Sequence, residues 1–403
     1  MGVETPTVHN FRLETLVHAV LHFTTIVLYP LPTGDTVNLR IPGPTTCPEE
    51  VLLAGARPMI NHRGPEFREV LLRVTDHLKQ AVETQNDILI LTASGTGAME
   101  ATIVNTLSPG DKVLAITIGY FGERFSQIAR VYGADVQNLS FPWGTAADPE
   151  QVRQALKENP DIKAVLVTHN ETSTGVTNDL ERIAGIVKGE FDRLLLVDAI
   201  SSLGSIPLPV DEWNCDVVMT GSQKGWMTPP GLAMISVSER AWQAVSQASM
   251  PRFYFDFTLA KRSLERGQTP ATPAVSLFFS LDVALDMLLQ EGMRKVHQRH
   301  ARIAKRTRDG AMAIGLSLLP ELAIASDTVT AIRVPEGVNG QDLTTLLRQE
   351  YDTVVAGGQG ALEGKIIRIG HLGYVAEQDI DEALGALSES LIRLGFPDAE
   401  TEG

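Results

Sequence analysis

The middle of the chain alternates short apolar runs with amphipathic segments. The runs are rich in Val, Ile and Leu and occupy residues 88–93, 112–118, 135–141, 164–170, 194–199, 217–222 and 232–238. Between them lie segments with helical periodicity, for example residues 121–132 and 180–188. Runs such as 194–199 are continuously apolar, and strands that are buried on both faces have this pattern. The sequence therefore predicts an α/β fold with a mostly parallel seven-stranded sheet between helices.

The regular alternation ends near residues 251–273, where three prolines interrupt it. A long helix with a break near Gly292 follows, and two strand-like runs, 328–334 and 365–369, precede a final helix near 377–394. Helices that flank a few strands are typical of an α+β unit. We therefore expect an N-terminal extension of residues 1–40, a large domain of residues 41–290 and a smaller α+β C-terminal domain of residues 291–403.

The N-terminal extension contains an apolar stretch, residues 16–32, which His18 and His22 interrupt. It is shorter than the about 20 residues of a membrane helix. The charges of Glu4 and Arg12 before it nearly cancel, whereas a signal peptide begins with a positive segment. We expect this extension to pack on the body of the protein or on a partner subunit.

The charge of the chain limits its expected partners, and its cysteine content indicates its location. The 403 residues include 34 basic and 49 acidic side chains, which gives a net charge of −15. A surface this negative repels nucleic acid and anionic membranes, so neither is expected as a partner. Cys47 and Cys215 are too few for a disulfide framework and fit a reducing, cytoplasmic location.

The first candidate site follows the run 88–93, where Ser94, Gly95 and Thr96 open a predicted helix. The free N–H groups and the positive end of a helix dipole suit a phosphate group. The turn lacks the Gly-Lys-Ser/Thr ending of a P-loop and the G-x-G-x-x-G of a dinucleotide site. It indicates phosphate binding of another kind, although many such turns carry glycine for steric reasons alone.

Two further candidates lie at the ends of later runs. Asp198 ends the most apolar run, where parallel sheets bind ligands; the alternative is a helix N-cap. Lys224 follows the next run among small and apolar neighbours, where desolvation favours the neutral, nucleophilic amine; the alternative is a solvated surface lysine. A phosphate cradle, a buried acid and such a lysine are together what pyridoxal 5′-phosphate requires.

At these positions the chain resembles the class V group of fold-type I pyridoxal-phosphate enzymes, in particular the alanine/serine–glyoxylate aminotransferases. The resemblance extends over residues 40–395 and rests on motifs that occur in a fixed order. They are PGPT at 42–45, HRGPEF at 62–67, SGTGAME at 94–100, GYFG at 119–122, HNETSTG at 169–175, VD at 197–198, GSQK at 221–224 and RIGHLG at 368–373.

The resemblance implies a role for each matched residue. Lys224 would form the Schiff base with the cofactor and move a proton during transamination, while Asp198 would pair with the pyridine nitrogen. Arg368 would bind the substrate carboxylate, with the N–H of Gly43 beside it. The other implied cofactor contacts are Ser94, Gly95, Thr96 and Gln223 at the phosphate, Phe121 against the ring and Thr172 near the ring oxygen. No metal site is implied.

The resemblance also implies a homodimer with shared active sites. Thr269 and Thr272 are similar to residues that reach the phosphate of the neighbouring subunit. Relatives frequently carry tyrosine at the position of Thr269, tryptophan at that of Phe121 and serine at that of Thr172.

The implied reaction is transfer of an amino group from alanine or serine to a 2-oxo acid, glyoxylate or pyruvate. Another class V reaction stays open, such as a lyase or an aminotransferase for ureidoglycine, pyridoxamine or a phosphonate. Desulfuration needs a nucleophilic cysteine downstream of the lysine, and no cysteine follows Cys215. No second arginine motif for a side-chain carboxylate stands out, which favours small neutral amino donors. A non-enzymatic accessory subunit would be expected to lose Lys224, Asp198 or Arg368, and all three are present.

Overall fold

A computed structural model describes residues 37–396. The strands are β1 (Asn38–Arg40), β2 (Asp87–Thr92), β3 (Lys112–Thr117), β4 (Asp135–Ser140), β5 (Ala164–Thr168), β6 (Asn170–Glu171), β7 (Val176–Thr177), β8 (Leu194–Asp198), β9 (Val217–Gly221), β10 (Leu232–Val237), β11 (Val329–Arg333), β12 (Thr353–Gly357) and β13 (Ile366–Gly370). The α-helices are α1 (Glu49–Gly55), α2 (Pro65–Ala81), α3 (Gly95–Thr106), α4 (Tyr120–Val131), α5 (Pro149–Glu158), α6 (Leu180–Ala184), α7 (Glu239–Gln247), α8 (Phe257–Leu264), α9 (Val275–Glu291), α10 (Met293–Ala313), α11 (Gly340–Tyr351) and α12 (Glu377–Arg393). Short 3₁₀ turns cover Leu322–Ile324 and Gly360–Leu362, and a π-helical turn covers Gly185–Glu190.

The large sheet has seven strands in the order β2-β10-β9-β8-β5-β3-β4. Neighbouring strands are parallel except in the two pairs that involve β10, which lies antiparallel between β2 and β9. The predicted α/β fold with a mostly parallel seven-stranded sheet is therefore confirmed.

The continuously apolar runs are strands with both faces buried. In β8, Leu195 and Val197 join the core on one face of the sheet, and Leu194 and Leu196 join the core on the other. Helices cover both faces, so neither set of side chains can be polar without losing the free energy of apolar burial.

A second, smaller sheet has the order β1-β12-β13-β11. The sequence predicted only two strands in this region, but Thr353–Gly357 is a third and Asn38–Arg40 a fourth, parallel to it. Residues 38–40, predicted as part of the extension, thus belong to the small sheet. The predicted helix break lies at Gly292, whose φ of 85° permits the change of direction. The prediction for residues 1–36 lies outside the described residues.

The fold gathers five strand ends at one edge of the large sheet. Because β2, β3, β5, β8 and β9 run in the same direction, the segments that follow them meet there. In open α/β sheets this carboxyl edge is where ligands bind. Among residues 37–396, no helix is both long enough and apolar enough to cross a bilayer.

Candidate active site

A cavity of about 130 Å³ opens at the carboxyl edge of the large sheet. It contains eight of the residues that the sequence predicted as cofactor ligands. They are Ser94, Gly95, Thr96, Phe121, Thr172, Asp198, Gln223 and Lys224. Segments that are distant in the chain therefore form one pocket, as their positions after neighbouring strands require.

The floor of the pocket at one end is the N-terminus of α3. Ser94 caps this helix, since its side-chain oxygen accepts a hydrogen bond from the N–H of Gly97 at 3.3 Å. The first N–H groups of any helix lack intrahelical acceptors and carry its positive dipole end. A Cβ at Gly95 would lie 2.6 Å from Cδ1 of Ile200, so any larger residue there would have to displace the Ile200 side chain. This end of the pocket suits an anion such as phosphate.

Asp198 is a buried carboxylate at the end of β8. Its two oxygens accept hydrogen bonds from the N–H of Ile200 at 3.0 Å and the hydroxyl of Thr168 at 3.2 Å. No cationic group among residues 37–396 lies within the 4.0 Å of a salt bridge. Burial, reinforced by the negative charge of Glu171, raises its pKa to about 7. A buried acid without a cation fits a ligand that brings a protonated nitrogen.

Lys224 follows β9 and extends across the pocket towards the segment after β1. Its Nζ donates a hydrogen bond to the carbonyl oxygen of Pro42. A Cβ at Gly43 would lie 2.6 Å from the same Nζ, so the absence of a side chain there makes room for the lysine. Burial lowers the pKa of Lys224 to about 8, although the charge of Asp198 acts in the opposite direction. A substantial fraction of this amine is thus neutral near neutral pH and able to attack a carbonyl.

Arg368 lies in β13 and is almost completely buried. Its guanidinium donates to the carbonyl oxygen of Gly357 at 2.7 and 2.9 Å, to that of Thr172 at 3.0 Å and to the side-chain oxygen of Gln359 at 3.2 Å. All these acceptors are neutral, and burial lowers the pKa of Arg368 to about 10. A buried guanidinium held by neutral groups keeps a full charge for an incoming carboxylate.

A residue that the sequence did not single out, Glu171, organises the wall between these groups. Its buried carboxylate accepts hydrogen bonds from the N–H groups of Phe121 at 3.0 Å and Gly122 at 3.1 Å, and from the N–H and hydroxyl of Ser173 at 3.0 and 2.6 Å. It therefore fixes the start of α4, and with it the ring of Phe121, to the hairpin of β6 and β7. Thr172, in the same hairpin, turns its carbonyl to Arg368.

The pocket contains further residues that the sequence analysis missed. They are Met99, Arg124, Asn170, Ile200 and Ser201. Asn170 and Ser201 bond each other at 2.8 and 2.9 Å and immediately flank predicted strand ends, which is the signal that could have found them. Arg124 adds a guanidinium to the pocket, while the expectation that no second arginine motif serves a side-chain carboxylate stays a prediction. Arg124 was missed because it follows Phe121 by three residues, on a helix that reads as an ordinary amphipathic one.

Thr269 and Thr272 do not belong to this pocket within one chain. They line a separate shallow hollow with Tyr254 and the end of β2. The hydroxyl of Thr269 donates to the carbonyl oxygen of Ala271 at 2.8 Å, while Thr272 is exposed. Their predicted contact with a cofactor phosphate would have to be made in another subunit. Within residues 37–396, no group of three or more His, Cys, Asp or Glu side chains is arranged to hold a metal ion.

The residues of the pocket fit pyridoxal 5′-phosphate. The helix end would hold the phosphate. Asp198 has no cation at salt-bridge distance among residues 37–396, and Lys224 supplies a desolvated amine in the same pocket. Gln223, in the same wall, has a buried side-chain oxygen without a hydrogen-bond partner among the described residues. A pocket that leaves such groups unpaired is suited to a polar ligand that pairs them.

Comparison with known proteins agrees with this geometry. The sequence profile of the family described as aminotransferase class-V matches residues 49–382. A chain named soluble hydrogenase, small subunit, of Synechococcus sp. is 45% identical over 365 residues, which cover 90% of this chain and 94% of that one. The serine–glyoxylate aminotransferase of Methylorubrum extorquens is 38% identical over 374 residues, with coverage of 89% and 92%.

A solved structure shows the same fold. The alanine–glyoxylate aminotransferase of a Nostoc species matches with a TM-score of 0.86 and 34% sequence identity, over 90% of this chain and 97% of that one. The fold and the pocket define a fold-type I enzyme that depends on pyridoxal phosphate. More narrowly, the chain belongs to the aminotransferase class-V family.

Proposed function

We propose that this enzyme transfers the amino group of alanine or serine to a small 2-oxo acid, glyoxylate or pyruvate. The observation that carries the proposal is the buried guanidinium of Arg368. Its hydrogen-bond partners among residues 37–396 are all neutral, and its positive charge acts on Lys224. An α-carboxylate is the group that amino acids and 2-oxo acids share, so one arginine serves both halves of the reaction. The serine–glyoxylate and alanine–glyoxylate relatives support this choice of substrates.

Each residue has a definite task in this proposal. Pyridoxal phosphate, when bound, supplies an aldehyde that condenses with amines and a ring that accepts the electron pair left by the departing α-proton. The carboxylate of Asp198 holds a proton on the ring nitrogen. The Nζ of Lys224 accepts the α-proton and returns it, for which a pKa of about 8 is well matched to neutral pH. Arg368 orients the substrate by its carboxylate, and Phe121 packs on the ring.

The thiol groups argue against a desulfurase. Burial raises the pKa of Cys215 to about 12 and that of Cys47 to about 11, so both thiols stay protonated at neutral pH. A nucleophilic thiolate, which desulfuration requires, is therefore not provided by either residue. The same two unpaired thiols support a reducing, cytoplasmic location.

An accessory role in a larger complex is suggested by the name of the Synechococcus relative. Such a role would not require catalytic side chains. Catalysis does require such residues: Lys224 and Asp198 line one cavity, and the charge of Arg368, which is not among its lining residues, acts on Lys224. Their joint presence supports an enzyme.

We further propose a homodimer in which Thr269 and Thr272 face the cofactor of the other subunit. The exposed Phe253 and Tyr254 lie beside this hollow in the chain, and their exposed apolar area supports a contact with another chain. Light scattering coupled to gel filtration checks the dimer, and a monomer that binds the cofactor at full strength would contradict it.

The purified protein should show a visible absorption band with pyridoxal phosphate that is lost in Lys224→Ala. Alanine or serine alone should convert this band to that of the aminated cofactor, and glyoxylate should restore it. Release of the amino group as free ammonia, or of sulfide from cysteine, without formation of the aminated cofactor would show a lyase instead. Absence of any band from the wild-type protein after addition of the cofactor would refute the proposal as a whole.

A further inference from the structure

Arg124 places a second positive charge in the pocket, at the end formed by α3. Its Nη1 donates a hydrogen bond of 3.1 Å to the hydroxyl oxygen of Thr96. The centre of its guanidinium lies 5.0 Å from the ring centroids of both Tyr120 and Phe121. The side chain is thereby held over the aromatic wall and directed towards the helix N-terminus.

No acidic group neutralises this arginine. Among residues 37–396, no carboxylate lies within 4.0 Å of its guanidinium. The adjacent Glu123 instead accepts a hydrogen bond from the indole N–H of Trp143 at 3.2 Å. The other nitrogens of Arg124 therefore remain free to donate to an anion in the cavity that it lines.

The contact with Thr96 also fixes the direction of a second donor. A hydroxyl that accepts a hydrogen bond from an arginine keeps its own proton for another acceptor. Ser94, Thr96 and the N–H groups of α3 are all neutral, while a phosphate monoester carries a charge of about −1.5 to −2 at neutral pH. Arg124 is the nearby side chain that can balance this charge without being consumed in the reaction.

We propose that Arg124 recognises the cofactor phosphate, both by its own N–H groups and by directing the hydroxyl of Thr96 towards it. This inference rests on the proposed function, since it assumes that the cofactor binds in this pocket. The alternative is that Arg124 binds the distal carboxylate of an acidic amino donor. The position of its hydrogen bond, on the first turn of α3, favours the phosphate.

The test compares two forms of the cofactor on the apoprotein. Pyridoxal phosphate and pyridoxal share the aldehyde and the ring and differ only in the phosphate. Dissociation constants are measured by absorbance and by quenching of protein fluorescence for the wild type, Arg124→Gln and Arg124→Lys. The control is Arg130→Gln, on the same helix, because Arg130 bonds Val136 and Asn138 and does not line the pocket.

Arg124→Gln should bind pyridoxal phosphate about 10- to 100-fold more weakly than the wild type, since a charge-assisted hydrogen bond is lost. Its affinity for pyridoxal should not change, and Arg130→Gln should match the wild type with both compounds. Arg124→Lys should recover part of the affinity, because the charge remains without the planar fork. Circular dichroism and thermal unfolding of the apoproteins confirm that the variants fold.

Three outcomes would overturn the inference. Equal losses for both compounds would mean that Arg124 only supports the aromatic wall. Unchanged affinity for pyridoxal phosphate, with a raised KM for aspartate alone, would assign the arginine to a substrate carboxylate. Failure of the wild type itself to bind pyridoxal phosphate would refute the proposed function together with this inference, and is recognised because it does not involve the variant.

Phosphorus NMR gives a second, independent readout. A free phosphate monoester titrates with a second pKa of about 6. In the wild type a neighbouring cation should hold the bound phosphate as a dianion, so its chemical shift should change little across this pH. In Arg124→Gln the shift should titrate. An identical titration in both proteins would contradict direct recognition.

Discussion

Removing the charge of Asp198 should make the empty protein more stable while making it a poor binder of its cofactor. Asp198→Asn preserves the local geometry, because the amide oxygen can accept from Ile200 and the amide nitrogen can donate to the hydroxyl of Thr168. What disappears is a buried negative charge that has no cationic partner among the described residues. The substitution therefore separates two effects of this charge. One is the stability that it costs the empty protein, and the other is the affinity that it adds for the cofactor.

The size of this cost follows from the pKa of the carboxyl group. Burial raises the pKa of Asp198 from 3.8 to about 7. Between these two values the unfolded chain has released its proton and the folded chain retains it, so the free energy of unfolding falls as the pH rises. Each pKa unit corresponds to about 1.4 kcal/mol, so the apoprotein loses about 4 kcal/mol through this one group by pH 8.

Urea unfolding of the two apoproteins at pH 4 to pH 8 measures the effect. The difference between them reports Asp198 together with its coupling to Lys224 and Glu171, because the titrating groups that do not interact with it cancel. We expect Asp198→Asn to be more stable by about 4 kcal/mol at pH 8 and by little at pH 4. Added pyridoxal phosphate should stabilise the wild type much more than the variant. Equal stability of the two apoproteins at pH 8 would refute the reasoning.

A matched control is available elsewhere in the sheet. Asp216 is equally buried, but its Oδ2 lies 2.6 Å from the Nζ of Lys188. Asp216→Asn leaves that ammonium buried without a partner and should destabilise the protein by about 3–5 kcal/mol. Opposite signs for two buried aspartates would show that the partner, and not burial itself, determines the outcome.

Three further predictions concern the remaining groups of the pocket. Arg368→Lys should raise the KM for the amino donor about tenfold or more, because lysine lacks the planar guanidinium that binds a carboxylate through two hydrogen bonds. The affinity for pyridoxal phosphate should not change. Steady-state kinetics and a cofactor titration check both expectations. Capture of the cofactor by the apoprotein should accelerate as the pH rises through about 8, where Lys224 loses its proton, and a stopped-flow rate that is independent of pH would contradict it. Glu171→Gln should lower the free energy of unfolding by urea by about 1–3 kcal/mol, because an amide nitrogen cannot accept the hydrogen bonds from the N–H groups of Phe121 and Gly122. It should also weaken the near-ultraviolet circular dichroism of the bound cofactor.

The large sheet was predictable because its strands are runs rich in Val, Ile and Leu. Residues 194–197 have no polar position, and a strand that helices cover on both faces has this pattern. The small sheet was only partly predictable. Thr353–Gly357 alternates buried and half-buried positions and begins directly after a helix, where Asp352 adopts a left-handed φ of 46°. The pairing of Asn38–Arg40 with it depends on contacts over more than 300 residues, which local pattern does not encode.

The residues of the pocket also divide into those that local sequence patterns predict and those that they do not. Ser94, Asp198 and Lys224 each follow a strong strand signal, so their convergence follows from the direction of the strands. Glu171 acts through contacts with residues about 50 positions away, and Arg124 lies on a helix face that resembles any other amphipathic face. No local pattern therefore distinguishes either residue. Thr269 and Thr272 lie apart from the pocket in one chain, and their proposed contact depends on a second chain.

The pocket joins the two extremes of the described chain. Gly43, which makes room for Lys224, and Arg368, whose charge acts on it, are separated by more than 300 residues. Contacts between such distant segments carry a loop-closure entropy that only the rest of the folded structure can offset. A molecule in which these segments have not met would therefore lack a complete site. Cofactor binding in this protein should thus serve as a test of complete folding, and the cofactor should stabilise the native state alone.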